Sequence, residues 1–321
     1  MATITISPED LSKSAKTFRK ELLIMPVHGL SASMPYMTLR TGIRYSETVG
    51  QLSGNAQFGP YSESREDDEA LNITGRTLYT YLGSVVKNFA PNSIAQSIYG
   101  SAITKGEALK TADITRQVLA FLAGVLGKNL NRVLFNAVRK DAGDKSIDLF
   151  NGFDTIASND YVAGNIAVAK GNLSTLEAIT SVNAVDVLKA FARSANDELL
   201  DQESLNLIIP RHVYNDYVDD YQTTVGAIPY NKEFKKTTLE GFDNINLVPL
   251  SNKSDSKFIQ LTTQKNMLVG VNQMGEEENI EVARFKAFVL QYIATMFFGC
   301  QYESISAESI LFGTIDGKLA I

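Results

Sequence analysis

The sequence contains a single cysteine, Cys300, and only two histidines, His28 and His212. One thiol cannot close a disulfide within the chain or build a multi-thiolate metal centre. Two histidines leave few ways to assemble a metal site or a nucleophile–base pair, and each reads as a solvated or hydrogen-bonded side chain. Short patterns that carry a chemical mechanism are missing as well: G-x-S-x-G, the phosphate-cradling P-loop, H-E-x-x-H and G-x-G-x-x-G do not occur. The sequence therefore assigns no catalytic residue, no metal ligand and no cofactor. Tyrosine, lysine, aspartate and glutamate are plentiful, so acid–base chemistry is excluded only as a recognisable motif.

Positive charge in excess is also absent. Against 36 acidic residues stand 30 lysines and arginines, a net charge of -6, which argues against phosphate binding by the whole surface. The basic run Lys232, Lys235 and Lys236 has too little basic or aromatic company to mark a nucleic-acid face. The stretch "KAFVLQYIATMFFGCQYES", starting at Lys286, holds sixteen consecutive uncharged residues, Ala287 to Tyr302. A bilayer-spanning helix needs roughly twenty apolar residues, and this run is interrupted by Gln291 and Thr295. Its alternate residues are apolar on both sets, Phe288/Leu290/Tyr292 and Val289/Ile293/Phe297, which predicts a strand covered on both faces with Cys300 as a small core residue. Near the start, Pro8, Glu9 and Asp10 occupy the place of a secretory signal's apolar core, so no export signal is expected.

What is present is a globular composition, 44% hydrophobic and 21% charged over 321 residues, enough for one large or two ordinary domains. The segment "SPEDLSKSAKTFRKELL" reads as a helix with Ser7 as N-cap and Pro8 at the first helical position. Leu11, Ala15, Phe18 and Leu22 form one apolar stripe on it, suited either to its own domain or to a neighbouring subunit. Between Tyr45 and Asn72 the chain is polar and carries Gly50, Gly54, Gly59 and Pro60. The cluster Arg65, Glu66, Asp67, Asp68 and Glu69 follows, too divergent in direction for a cation site. So long a polar segment has little to bury by itself and predicts a protruding loop. "RTLYTYLGSVVKNF" then reads as a strand, making the loop a two-stranded excursion.

The longest helical pattern is "TADITRQVLAFLAGVLGKNLNRVLFNAVRK", about 111–140, with Ile114, Val118, Phe121, Leu122, Val125, Leu126, Leu130, Val133, Leu134 and Val138 in a 3.6-residue rhythm. Its length would be roughly 40 Å at 1.5 Å per residue, and Gly124 and Gly127 suggest a bend or a close contact. A connection is expected over 141–160, then one helix across "NAVDVLKAFARSANDELL" capped by Asn183, with Val187, Leu188, Phe191 and Leu199 inward. "SLNLIIP" predicts a short buried strand, and "RHVYNDYVDDY" a helix whose Tyr214, Tyr217, Val218 and Tyr221 pack. "INLVPL", "KFIQLTT", "NMLVGVN" and "NIEVARF" are strand candidates separated by polar turns. The elements are interleaved, α+β in character, with no internal repeat.

This order of elements resembles the major capsid proteins of tailed bacteriophages with the Hong Kong 97-type fold. The resemblance rests on an N-terminal helix, a long polar excursion, one very long helix, the "LNLIIPRHVYNDY" strand and helix, and the aromatic-Gly ending "FFGCQYESISAESILFG". It implies an N-terminal arm over 1–34, an extended loop over 46–72, and a peripheral domain over 35–45, 73–200 and 286–321 with a spine helix at about 111–140. An axial domain would occupy 201–285. The implied role is structural: a subunit that self-assembles, as hexamers and pentamers of itself, into an icosahedral head shell enclosing a phage genome. Such a protein would be made in the host bacterial cytoplasm and end in the virion, with a separate scaffolding protein and a portal as partners, weak inner-face contact with DNA, and no membrane. Leu11, Phe18 and Leu22, together with Arg65 to Glu69, are the expected inter-subunit contacts. Isopeptide cross-links, made in some members by an extended-loop lysine, are not expected here because 46–72 contains no lysine. The alternatives are an encapsulin-like nanocompartment shell, another virion structural protein, or an enzyme, which would need titratable groups converging in a pocket.

Overall fold

Residues 32–53, 61, 72–89, 111–225, 237–272, 280–286 and 289–315 are described by the structure, a computed structural model. The long helix α1 (Thr111–Val133) follows the apolar rhythm but stops at Val133, short of the expected Lys140. Beyond Val133 the backbone groups bond to a neighbouring segment instead of the helix: Val138 N donates to Ile147 O at 2.9 Å, Lys140 N to Asp148 O at 2.9 Å, and Gly152 N to Ala137 O at 2.8 Å. Leu134, Phe135 and Ala137 keep apolar spacing because all three are wholly buried in that loop. On α1 itself the stripe is split. Leu130 and Val133 are buried while Phe121 is 69% exposed, and a Cβ at Gly124 would meet nothing within 4 Å, so no close contact explains that glycine.

Most of α2 (Phe153–Val162) lies within the stretch expected as a connection. Its sequence is too polar to show a stripe, and tertiary burial of Phe153 and Ala157 holds it in place. The single helix expected over 183–200 is two, α3 (Ala184–Arg193) and α4 (Asp197–Leu200). Ser194 Oγ donates to Phe191 O at 2.7 Å, closing α3, and Asn196 Oδ1 accepts from Glu198 N at 2.8 Å, starting α4. Asn183 stands at the N-cap position of α3, but its Oδ1 accepts from Thr180. The α3 amide of Val185 donates instead to Asp220 Oδ2 at 2.8 Å, on α5 (Arg211–Val225).

Two five-stranded sheets organise the rest. In the first, β1 (Thr38–Thr41) runs parallel to β9 (Met267–Val271). The long β11 (Val289–Tyr302) lies antiparallel to β9, to β10 (Ile280–Lys286) and to β4 (Tyr81–Phe89). The second sheet has the order β5 (Leu173–Thr175), β12 (Ile310–Thr314), β8 (Phe258–Thr262), β6 (Leu205–Pro210) and β7 (Ile245–Leu250). Every residue of β6, β8, β9 and β12 is buried, as apolar runs covered on both faces should be. One face of the second sheet packs on α3 and α5 through Leu188, Phe191, Leu207, Ile209 and Tyr217. Its other face meets the first sheet through Ile208, Phe258, Phe312, Val269, Phe298 and Tyr302.

Strand allotment differs from the expected boundaries at 200/201 and 285/286. β5 and α3 precede residue 201 and β12 follows residue 286, yet all three belong with the second sheet; β9, inside 201–285, and β10, which ends at Lys286, belong to the first. Pairing between strands distant in sequence, such as β12 with β5, leaves no local mark by which to place a boundary. The strand expected in "KAFVLQYIATMFFGCQYES" is β11. Its segment Phe297–Cys300 is buried, while Gln291 and residues 293–296 are only half-buried, so covering on both faces holds where the strand crosses the core.

Candidate assembly surfaces

The excursion predicted from the sequence is a hairpin of β2 (Ser46–Ser53) and β3 (Asn72–Tyr79), eight residues each, in register from Ser46↔Tyr79 to Ser53↔Asn72. At about 3.4 Å per residue its paired part extends for about 27 Å. Among the described residues it forms a sheet of its own with no third strand, and an isolated two-stranded ribbon is marginally stable in water. Its stability has to come from its root or from something docked along it.

The root is firmly built. Arg76 on β3 donates to Asp160 Oδ2 on α2 at 2.6 Å and to Gln301 Oε1 on β11 at 3.0 Å. Gln301 Nε2 donates back to Thr77 O at 3.1 Å. Ile43, Val49, Leu78 and Leu268 form a small buried cluster beneath. The hairpin crosses the first sheet where Gly299 pairs with Gly270. A Cβ on Gly299 would lie 2.0 Å from Tyr79 O, so that position requires glycine for backbone approach, and one on Gly270 would lie 2.8 Å from the Thr80 methyl carbon and crowd the side chains packed over it. Tyr45 turns the chain into β2 with φ +69° and packs edge-on against Phe297 at 5.3 Å. The sequence reading found the excursion and missed this root, since its partners lie more than 80 residues away along the chain.

A second surface is apolar and exposed. Phe121 and Val125 stand on the outward side of α1, and Leu82 and Val86 on β4 alternate outward with Ser84 and Asn88. Between α1, β4, β11 and residues 139–149 runs an open cleft of about 580 Å³, floored by Leu126, Leu130, Leu149 and Met296. Of the charged residues that line it, Arg139 pairs with Asp141 at 2.8 Å and sits 4.6 Å over the Tyr81 ring, and Asp148 lies 3.8 Å from Lys140.

Among the described residues no three His, Cys, Asp or Glu side chains gather to hold a metal ion. Burial raises the Cys300 thiol well above its ordinary pKa, helped by nearby Asp154, and raises Tyr302 in the same way. Burial alone pushes Tyr292 up to about 12. His212 is exposed on α5. Leu11, Phe18, Leu22, Arg65, Glu66, Asp67, Asp68 and Glu69, the expected inter-subunit contacts, lie outside the described residues, as do His28, Lys232, Lys235 and Lys236. Among the described residues no helix is long and apolar enough to cross a membrane.

No protein-family model matches the sequence, and no curated protein matches it. Solved structures do match it in shape. A chain of the satellite phage P4 procapsid that includes the size determination (Sid) protein is similar with a TM-score of 0.54 at 10% identity, covering 90% of this chain and 96% of that one. A capsid chain of the native GTA particle gives a TM-score of 0.52 at 12% identity, over 89% and 90%. One from the capsid of Myoviridae phage XM1 gives 0.51 at 9% identity, over 87% and 90%. Likeness over about nine-tenths of both chains gives this chain the α+β, Hong Kong 97-type fold of these capsid chains.

Proposed function

We propose that this chain is a major capsid protein: a structural, non-enzymatic subunit that assembles with copies of itself, as hexamers and pentamers, into the icosahedral shell of a phage head. The observation that carries the reading is the two-stranded β2–β3 hairpin on a rigid root, within a fold shared with capsid chains over nine-tenths of their length. A ribbon that pairs only with itself among the described residues, and the exposed apolar side chains of α1 and β4, are costly in an isolated protomer and useful where copies bury them on each other. In this reading residues 1–34 act as an arm, 46–72 as the extended loop, and the first and second sheets as the peripheral and axial domains. The Leu11/Phe18/Leu22 stripe and Arg65 to Glu69 contact adjacent subunits. A separate scaffolding protein and a portal complete the assembly, which forms in the host cytoplasm, and the net acidic balance keeps DNA contacts few.

Electron microscopy of the overexpressed protein tests the reading: closed shells support it, and a monodisperse monomer at high concentration sinks it. Nucleic acid inside shells made during infection separates a genome container from a nanocompartment loaded with a cargo enzyme. Deleting residues 50–66 is expected to leave a folded protein that forms no shells.

A further inference from the structure

The two sheets meet across an apolar core, and that core contains a hydrogen-bonded polar cluster drawn from four separate places in the chain. Lys253, on the turn after β7, is wholly buried; its Nζ lies 2.9 Å from Asp154 Oδ1, in the first turn of α2. Gln260 on β8 donates from Nε2 to the same Asp154 oxygen at 2.9 Å and to Tyr302 Oη, at the end of β11, at 2.9 Å. Tyr302 Oη donates to Phe153 O at 3.3 Å. Lys253 Nζ also donates to Ser256 Oγ at 2.8 Å and lies 4.6 Å over the Phe135 ring.

Stability does not account for the cluster. Burial alone pulls the Lys253 pKa down, against the pull of Asp154, and replacing a buried ion pair by apolar groups of like volume is often neutral or stabilising. What apolar packing supplies poorly is a unique arrangement: hydrophobic attraction is non-directional, and repacked cores lose uniqueness before they lose stability. Hydrogen bonds near 2.9 Å are directional. The cluster spans the junction, with Gln260 and Lys253 on the second sheet's side, Tyr302 in the first sheet, and Asp154 on α2, whose Asp160 also holds Arg76 of the hairpin root.

We propose that Lys253, Asp154, Gln260 and Tyr302 form an orientation latch, which admits one angle between the two sheets and so gives every protomer the same shape. The consequence for a uniform shell rests on the proposed function; the latch itself does not.

Its test is the spread of a distance inside one protomer. Spin labels are placed at Ser84→Cys on β4 and Gln222→Cys on α5, both exposed, while buried Cys300 stays unlabelled. A small labelled fraction is diluted into unlabelled protein, and the distance distribution is read by double electron–electron resonance. The triple variant Lys253→Met, Asp154→Leu, Gln260→Leu leaves no charge in the cluster; it is expected to melt cooperatively at or above the parent temperature while the distribution becomes roughly twice as wide. A distribution as narrow as the parent's, with the same mean, overturns the latch. Should the triple variant fail to melt cooperatively, Gln260→Leu alone decides: it keeps the ion pair and removes the side-chain bond from the second sheet to Tyr302, broadening supports the latch, and an unchanged distribution overturns it. These distances are measured within one chain, so the latch and the shell-forming role can fail separately.

Discussion

The second sheet and the β2–β3 hairpin are opposite solutions to the same problem of covering a β-surface. The second sheet is closed: β6, β8 and β12 are buried at every residue, with α3 and α5 on one face and the first sheet on the other. The hairpin is open, a ribbon whose two strands pair only with each other among the described residues and which is held at its root by Arg76, Gln301 and a pair of close glycine contacts. A closed sheet carries its own stability in side-chain packing. An open ribbon borrows stability from its attachment and from whatever lies along it. A shell subunit needs both kinds, one to keep its shape and one to reach its neighbours.

The comparison can be broken by substitutions that act on one region and spare the other. Phe191→Ala, in the closed core, should cost about 3–5 kcal/mol through cavity and transfer terms, visible as a large drop in the denaturant midpoint with little change in slope. Asp154→Ala, which strands the buried Lys253 ammonium, should cost a similar amount, roughly 3–5 kcal/mol. At the hairpin root, Arg76→Ala should cost about 1.5–3 kcal/mol by removing charge-assisted bonds from Asp160 and Gln301. Its sharper signature would be faster amide exchange in β2 and β3 with exchange in β6 and β8 unaltered; uniform acceleration everywhere would mean that the ribbon is no independent unit. At the exposed end of the scale, Phe121→Ser should change protomer stability by no more than about 0.5 kcal/mol. If residues of the open surface matter only between copies, that same variant should lower shell yield.

Burial predicts a pH signature for the first sheet. Tyr292 titrates at about 12 in the fold against 10.0 in an open chain. The folded state favours its neutral form, so this contribution is fully present below pH 10 and is lost as the pH rises from 10 toward 12. Tyr292→Phe should flatten that part of the alkaline stability profile, and an unchanged slope would show that the ring is more solvated than its surroundings suggest. Cys300 gives a simpler check: a thiol reagent should leave the native protein unmodified at neutral pH and modify one thiol per chain after denaturation, because burial both covers the sulfur and disfavours the thiolate.

By itself the sequence determined the elements whose signal is local. The 3.6-residue rhythm located α1, the largely apolar run stopped by Pro210 located β6, and the polar, glycine-bearing stretch between two strand patterns located the hairpin; their order was enough to suggest the fold. The short strands β7, β8, β9 and β10 were legible for the same reason, because a pleated apolar run between polar turns is read within a few residues. Three things were decided only in three dimensions. The end of α1 is set by backbone bonds from residues 138–140 to 147 and 148, which compete with the helix although the apolar rhythm continues. The division of strands between the sheets depends on pairings such as β12 with β5 and β1 with β9, whose partners are far apart in the chain. The hairpin root and the Lys253 cluster are made of ordinary residues, an arginine, a lysine, two aspartates, two glutamines, a tyrosine and two glycines. Burial and distance alone distinguish them from the many like them on the surface, and those are properties that only tertiary structure confers.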